Sequence, residues 1–219
     1  MTTQSRRWLQ FSLRRALGVM LVVGLACGWL SSVWRQRASQ VQAATLSAGS
    51  SAFQRASFEN GRLRGAAFAG KDSTFQIARF DGADLADANL TASGAAFQAA
   101  SFDQANLAGA KLTGRGSSFQ MASLAGADLA GAALSGDDTA FQGASLAGAK
   151  LARANIQARG VAFQSVFIDS AQFQRADLSQ LDPATLTGWK FKIPPHYDDQ
   201  TRFPSQFDPV AQGWKRAAH

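Results

Sequence analysis

Large apolar residues recur along most of this chain at intervals of five, five, five and seven. Phe53, Phe75, Phe97, Phe119, Phe141 and Phe163 form a column of period 22, and a Gln follows each of them. Five residues further on comes a second column: Phe58, Phe80, Phe102, Leu124, Leu146 and Ile168. A third holds Leu63, Leu85, Leu107, Leu129, Leu151 and Phe173, and a fourth Phe68, Leu90, Leu112, Leu134, Ile156 and Leu178. None of these positions is polar. A fixed period of this size marks a stacked repeat, in which each unit buries its apolar face only against its neighbours.

Two residues before each large position sits a small one. Ala66, Ala88, Ala110, Ala132, Ala154 and Ala176 precede the fourth column, and Ala83, Ala105, Ala127, Ala149 and Ala171 precede most of the third. Ahead of the Phe column the corresponding residues are Ser51, Ser73, Ala95, Ser117, Thr139 and Val161. Residues two apart on an extended segment point the same way, so the large and the small residue share one interior. A period of five excludes a helix face, which needs 3.6, and alternation lasting three residues excludes a long strand. A chain that turns a corner every five residues, with four sides per coil, satisfies both facts.

Segments such as Ala83-Asp84-Leu85, Ala88-Asn89-Leu90, Ala105-Asn106-Leu107, Ala127-Asp128-Leu129, Ala154-Asn155-Ile156 and Ala176-Asp177-Leu178 are similar to the A-(D/N)-L-x-x unit of the pentapeptide repeat family. The resemblance covers 44–193 and implies an all-β solenoid, a right-handed quadrilateral β-helix. This chain departs from the family by two extra residues per coil: Lys71-Asp72, Ser93-Gly94, Arg115-Gly116, Asp137-Asp138 and Arg159-Gly160. Coils of 5+5+5+7 residues are expected, with the insertions forming a row of protruding turns along one edge. Leu46 opens the fourth column, and Ala184-Thr185-Leu186 with Phe191 extends the array upward. After Pro194-Pro195 the beat is lost. The aromatic and proline-rich tail, 194–219, is expected to lie across the open end as a cap without continuing the ladder, since proline lacks the donor. Its Tyr197–Pro204 stretch resembles a tail that follows other bacterial pentapeptide arrays.

The N-terminus has a different character. From Ala16 to Trp34 no residue is charged, a length suited to one membrane-spanning helix. Arg6, Arg7, Arg14 and Arg15 precede it and Arg35 and Arg37 follow. The positive-inside rule then puts the basic segment 1–15 in the cytoplasm of a bacterium, and the linker 35–43 and the repeats on the periplasmic or outer side. Cleavage after Val41-Gln42-Ala43 is the competing expectation for this segment.

The charge of the whole chain, +7, resides mainly in these flanks. Residues 51–182 carry 11 basic and 12 acidic side chains, a net of −1. A near-neutral rod argues against nucleic-acid binding. It also argues against the best-known activity in the family, mimicry of duplex DNA toward type II topoisomerases, which requires a strongly acidic surface.

Candidate chemistry is sparse. The single Cys, Cys27, lies inside the apolar run, and His196 and His219 are in the tail without partners at ligand spacing. Asp137-Asp138 is one of five equivalent insertions and reads as a turn. No catalytic residue, metal site or cofactor is expected. The most specific surface feature is the column Gln54, Gln76, Gln98, Gln120, Gln142 and Gln164. A primary amide both donates and accepts, so each can bond the next coil, as stacked amides do in cross-β assemblies. The same column is the candidate partner-binding strip. The chain therefore reads as a non-catalytic, membrane-anchored scaffold or protein-interaction surface, able to self-associate through a face or an end. A topoisomerase inhibitor or protector and a polysaccharide-binding solenoid are the alternatives.

Overall fold

The computed structural model describes residues 45–48 and 53–217. The described residues all belong to one unit of the chain, Gln42–His219. Among them no helix is long and apolar enough to cross a membrane. The expected span at 16–34, with its flanks 1–15 and 35–43, lies outside them.

This unit is a β-solenoid. Seven parallel strands stack in chain order: β1 (Thr45–Ala48), β2 (Ala67–Gly70), β3 (Asn89–Ala92), β4 (Lys111–Gly114), β5 (Ala133–Gly136), β6 (Asn155–Ala158) and β7 (Asp177–Gln180). From β1 to β6 every residue pairs with the one 22 further on, as in Leu90 with Leu112 and Leu112 with Leu134. Two other sides are held by chains of single bridges. One runs through Arg79, Ser101, Ser123, Ser145 and Phe167, the other through Asp84, Asn106, Asp128, Lys150 and Gln172.

Corner geometry explains the spacing. Left-handed backbone recurs at Ile77, Gly82, Asp87 and Gly94, then at Ala99, Gln104, Gly109 and Gly116, so the intervals are five, five, seven and five. Three corners per coil are closed by a bond spanning three residues, such as Ala100 N–H to the Phe97 carbonyl at 3.0 Å and Ala105 N–H to that of Phe102 at 3.1 Å. A positive φ at the third residue makes these type II turns. The seven-residue side is the one that carries the strands. The two five-residue sides that pair do so through one bridged residue between two turns, whereas on the seven-residue side four consecutive residues pair.

This corrects the expectation of three-residue alternation. Strands β3, β4 and β5 bury two positions each, the column residue and a Gly or Ala two further on: Ala92, Gly114 and Gly136. A Cβ added at Gly114 would stand 3.0 Å from the Phe119 ring and 3.1 Å from Ala140 Cβ, so the column must stay small there. The inward partner of each Phe also differs from expectation. Thr74, Ala96, Ser118, Ala140 and Ala162 are buried, whereas Ser73, Ala95, Ser117 and Thr139 are only partly so and Val161 is exposed. The chain at this corner is a tight turn, with Thr74 N–H bonded to the Lys71 carbonyl at 3.1 Å, so consecutive residues face inward together.

The core is a set of self-stacks. Six Phe rings lie nearly parallel, with centroids 5.2, 4.8, 5.0, 4.8 and 4.4 Å apart from Phe53 up to Phe163. Phe58, Phe80 and Phe102 form a second stack, at 4.7 and 4.8 Å. Offset parallel rings at this spacing add to the burial itself.

The upper end departs from the sequence expectation. Ala184-Thr185-Leu186 is not another solenoid side but part of a short helix, α1 (Pro183–Thr187), with Asp182 as its N-cap. Nor does the tail leave the ladder. Lys190, His196 and Arg202 bridge to Phe167, Gln172 and Asp177 on three sides of the last coil. The pairing residues are six apart, and Pro194, Pro195, Pro204 and Pro209 fall between or beyond them, where no donor is needed. Strand β8 (His196–Tyr197) pairs in parallel with β9 (Lys215–Arg216). Trp189 and Trp214 are both buried, at 5.9 and 5.0 Å from Phe173, and Trp189 Nε1 donates to the Phe163 carbonyl at 2.8 Å.

Three carboxylates fasten this cap. Asp169 accepts from Ile193 N at 2.9 Å and Lys192 N at 2.5 Å, and these donors hold its carboxyl below the usual range. Asp177 is held low by the Ser179 hydroxyl and amide, and by Arg202 at 3.7 Å. Burial pushes Asp198 up, but donors on Arg175, Thr201 and Gln200 outweigh it and leave the group low. A lowered carboxylate contributes stability that is present above the unfolded value, about 4, and is lost as pH falls through the lowered one. Below about pH 4 the amides of Arg175, Lys192 and Ile193 should therefore lose hydrogen-exchange protection before those of Phe97 and Phe119. Simultaneous loss, or a cap unchanged at pH 2, would contradict this assignment. In the core, Phe119→Ala should cost about 3–5 kcal/mol, read as a lowered urea midpoint. An unchanged midpoint would show that the Phe stack does not carry the rod.

Candidate functional site

At the first corner of each coil the Phe enters the core and the following Gln faces outward, from Gln54 to Gln142 as the second position of a type II turn. Because adjacent coils are in register, the six Gln side chains stand one above another. Each amide nitrogen donates to the amide oxygen of the coil above. The distances are 2.8 Å for Gln54 to Gln76, Gln76 to Gln98 and Gln98 to Gln120, then 3.0 Å to Gln142 and 3.1 Å to Gln164. All six members of the predicted strip are thus brought together in one unbroken ladder. Such a chain polarises its members in one direction.

The surroundings of the ladder were less apparent in the sequence. The left-handed position beside it holds Arg55, Ile77, Ala99, Met121, Gly143 and Ser165, one per coil. Ile77 is 42% and Met121 67% exposed, and Val161 and Phe167, also on this side of the rod, are 44% and 42% exposed. These are four of the six large hydrophobic residues exposed among the described ones, the others being Ile193 and Val210 in the cap. A β-branched Ile at φ 59° is a conformational outlier, since such residues avoid the left-handed region. That misfit is the signal by which a column alignment could have singled out the position.

Electrostatically the upper four coils of this side are blank, whereas at the base Arg55 stands exposed beside Gln54. The segments 95–101, 117–123, 139–145 and 161–167 contain no ionisable side chain. Arg79, below them, is bound to Glu59 at 2.8 Å and Asp81 at 2.9 Å. Its guanidinium is held further into the charged form by the Asp81 hydrogen bond and by Glu59. Above, Lys190 sits over the Phe167 ring at 5.5 Å.

The remaining sequence candidates fall elsewhere. Asp137 lies 3.6 Å from Arg115, and Asp138 takes the left-handed position of its turn, so the pair belongs to the row of inserted turns. His196 contributes its backbone to the cap ladder. Among the described residues no group of three or more His, Cys, Asp or Glu is placed to hold a metal.

Removing one amide from the middle of the ladder breaks two bonds, and from its end only one. Gln98→Ala should cost about 1–3 kcal/mol, at 0.5–1.5 per bond, and Gln164→Ala about half that. Equal midpoints for the two variants in urea would argue against a cooperative ladder.

No family model matches the chain, and no curated protein matches it. Solved structures similar to it include a trypsin-treated form of QnrB1, a plasmid-mediated fluoroquinolone resistance protein. It is 17% identical, with 69% of this chain and 72% of that one covered and a TM-score of 0.41. HetL, a pentapeptide repeat protein involved in heterocyst differentiation regulation from the cyanobacterium Nostoc sp. strain PCC 7120, is 18% identical over 69% of this chain and 78% of its own, with a TM-score of 0.25. Rfr23, a pentapeptide repeat protein from the cyanobacterium Cyanothece 51142, is 19% identical over 67% and 90%, with a TM-score of 0.26. With these TM-scores below 0.5, the solenoid rests on the coil geometry of the chain itself.

Proposed function

We propose that this chain is a non-catalytic solenoid of the pentapeptide-repeat type, tethered to the bacterial inner membrane by 16–34, whose Gln face docks a protein partner in the envelope. One observation carries the docking role. On a rod whose other faces bear charges of both signs, this side alone combines an amide ladder, exposed Ile77, Met121, Val161 and Phe167, and an upper four coils without any ionisable side chain, its cations Arg55 and Arg79 lying at the base. Protein interfaces are depleted of charge at their centre and enriched in Met and aromatic residues. Self-bonded amides keep that surface flat while leaving lone pairs and N–H groups for a partner.

The tether rests on the apolar run and its arginines, and on the absence of acidic residues from 1–50. A topoisomerase protector would need a polyanionic rod inside the cytoplasm. Eleven basic against 12 acidic residues over 51–182 do not supply one. A polysaccharide binder would use a stripe of exposed aromatic rings, and Phe167 is one ring, not a stripe.

Two measurements test the proposal in cells. With Cys27→Ser as background, Ala133→Cys on the exposed face of β5 should react with a membrane-impermeant maleimide in intact cells. Labelling only after lysis would overturn the topology. A photocrosslinking residue at Ala99, beside the ladder, should trap a discrete protein adduct, and the same residue at Ala133 should not. Equal adducts from both positions, or none from Ala99, would reject the Gln face as the docking side.

A further inference from the structure

The corner diagonally opposite the Gln column carries two cations that the rod does not neutralise. Coil by coil its outer residues are Arg64-Gly65, Ala86-Asp87, Ala108-Gly109, Ala130-Gly131, Ala152-Arg153 and Gln174-Arg175. At the base the charge is settled internally. Arg64 reaches Asp87 at 3.1 Å and Asp84 at 3.6 Å. At the top it is not. Arg153 and Arg175 are exposed on successive coils, about 4.8 Å apart in backbone, and neither has an acidic partner among the described residues.

Their placement is also conformationally unfavourable. Both take the left-handed position, at φ 61° and 59°, where the two coils below have Gly109 and Gly131. Any residue with a Cβ is strained there. Two like charges thus stand side by side on strained backbone, where glycine would relieve both problems. Around them the surface is concave: Ala130, Gly131 and Ala152 form a floor, with Arg153, Gln174 and Arg175 as the rim. A Cβ added at Gly131 would meet no atom within 4 Å, so the floor is open to an incoming group.

We propose that this cleft receives a single carboxylate from an acidic peptide segment, held between the guanidinium groups of Arg153 and Arg175. Planar guanidinium donors match a carboxylate in geometry, and an anion between them removes their mutual repulsion. Gln174 can bond the adjoining peptide group through its amide. The small floor admits the aliphatic stem. An extended polyanion fits less well. Asp128 lies one coil below Lys150, Asp177 follows Arg175 by two residues, and Asp198 accepts from the Arg175 backbone at 2.9 Å. A nucleic acid or an anionic bilayer would have to pass these acids, whereas one carboxylate need not. The site stands apart from the Gln face, so either can fail with the other intact.

The test uses the full chain in neutral detergent micelles, with labelled arginine, and follows the Nε–H resonances by NMR. The probe is N-acetylglutamate α-amide, and its glutamine analogue is the control. Arg153→Gln and Arg175→Gln assign the two signals. We expect saturable shifts confined to Arg153 and Arg175, no response to the glutamine analogue, and affinity at least tenfold weaker in either variant. The proposal is overturned if the glutamate probe produces no saturable shift, or moves all arginine signals alike. It is equally overturned if inorganic phosphate shifts the pair as strongly at equal concentration, or if anionic lipid vesicles shift it while the probe does not.

Discussion

Every side chain in this rod has its own column-mate for a neighbour. Parallel backbone bonds fix the register at 22 residues, so whatever occupies a position meets the residue 22 before it and 22 after it. That constraint selects for groups that pack well against themselves. Phenyl rings do so by stacking at 4.4–5.2 Å, and primary amides by donating to one another. Glycine does so in the inserted turns, where Gly94 and Gly116 lie backbone against backbone. Charges do not, and the rod treats them accordingly. Arg79 is set between Glu59 and Asp81, and Arg115 beneath Asp137. Arg153, above Gly131 and directly below Arg175, has a like charge for its neighbour and no ion pair among the described residues.

The parts of the fold that were legible in the sequence are those in which a side chain reports its own environment. Buried Phe and Leu at intervals of five reveal the sides, and six in-step Gln reveal the ladder, because both depend on side-chain identity. The parts that were hidden depend on backbone alone. Thr74 and Ser118 face the core because their turn points two consecutive residues inward, and nothing in a Thr or Ser announces that. The cap ladder through Lys190, His196 and Arg202 was invisible for the same reason. Backbone pairing needs no apolar beat, and prolines between the pairing residues looked like an argument against any pairing at all.

The candidate face was legible by half. Its amides were, since their chemistry is self-complementary. Its apolar border was not, because Arg55, Ile77, Ala99, Met121, Gly143 and Ser165 share a backbone state and no side-chain type. Only the lined-up coils show that Ile77 and Met121 flank the amides, and that ionisable residues on this corner are confined to the lowest two coils, at Arg55 and Arg79.

The Gln ladder also has a direction. All five bonds run from a nitrogen on one coil to an oxygen on the next toward the cap. The described column therefore ends in a carbonyl oxygen at Gln54 and in amide hydrogens at Gln164, with the amide dipoles aligned between them. A segment laid along this corner meets an acceptor at one end and a donor at the other, so its two orientations are energetically distinct. A column of identical residues can thus act as a compass, setting the polarity of whatever lies on it.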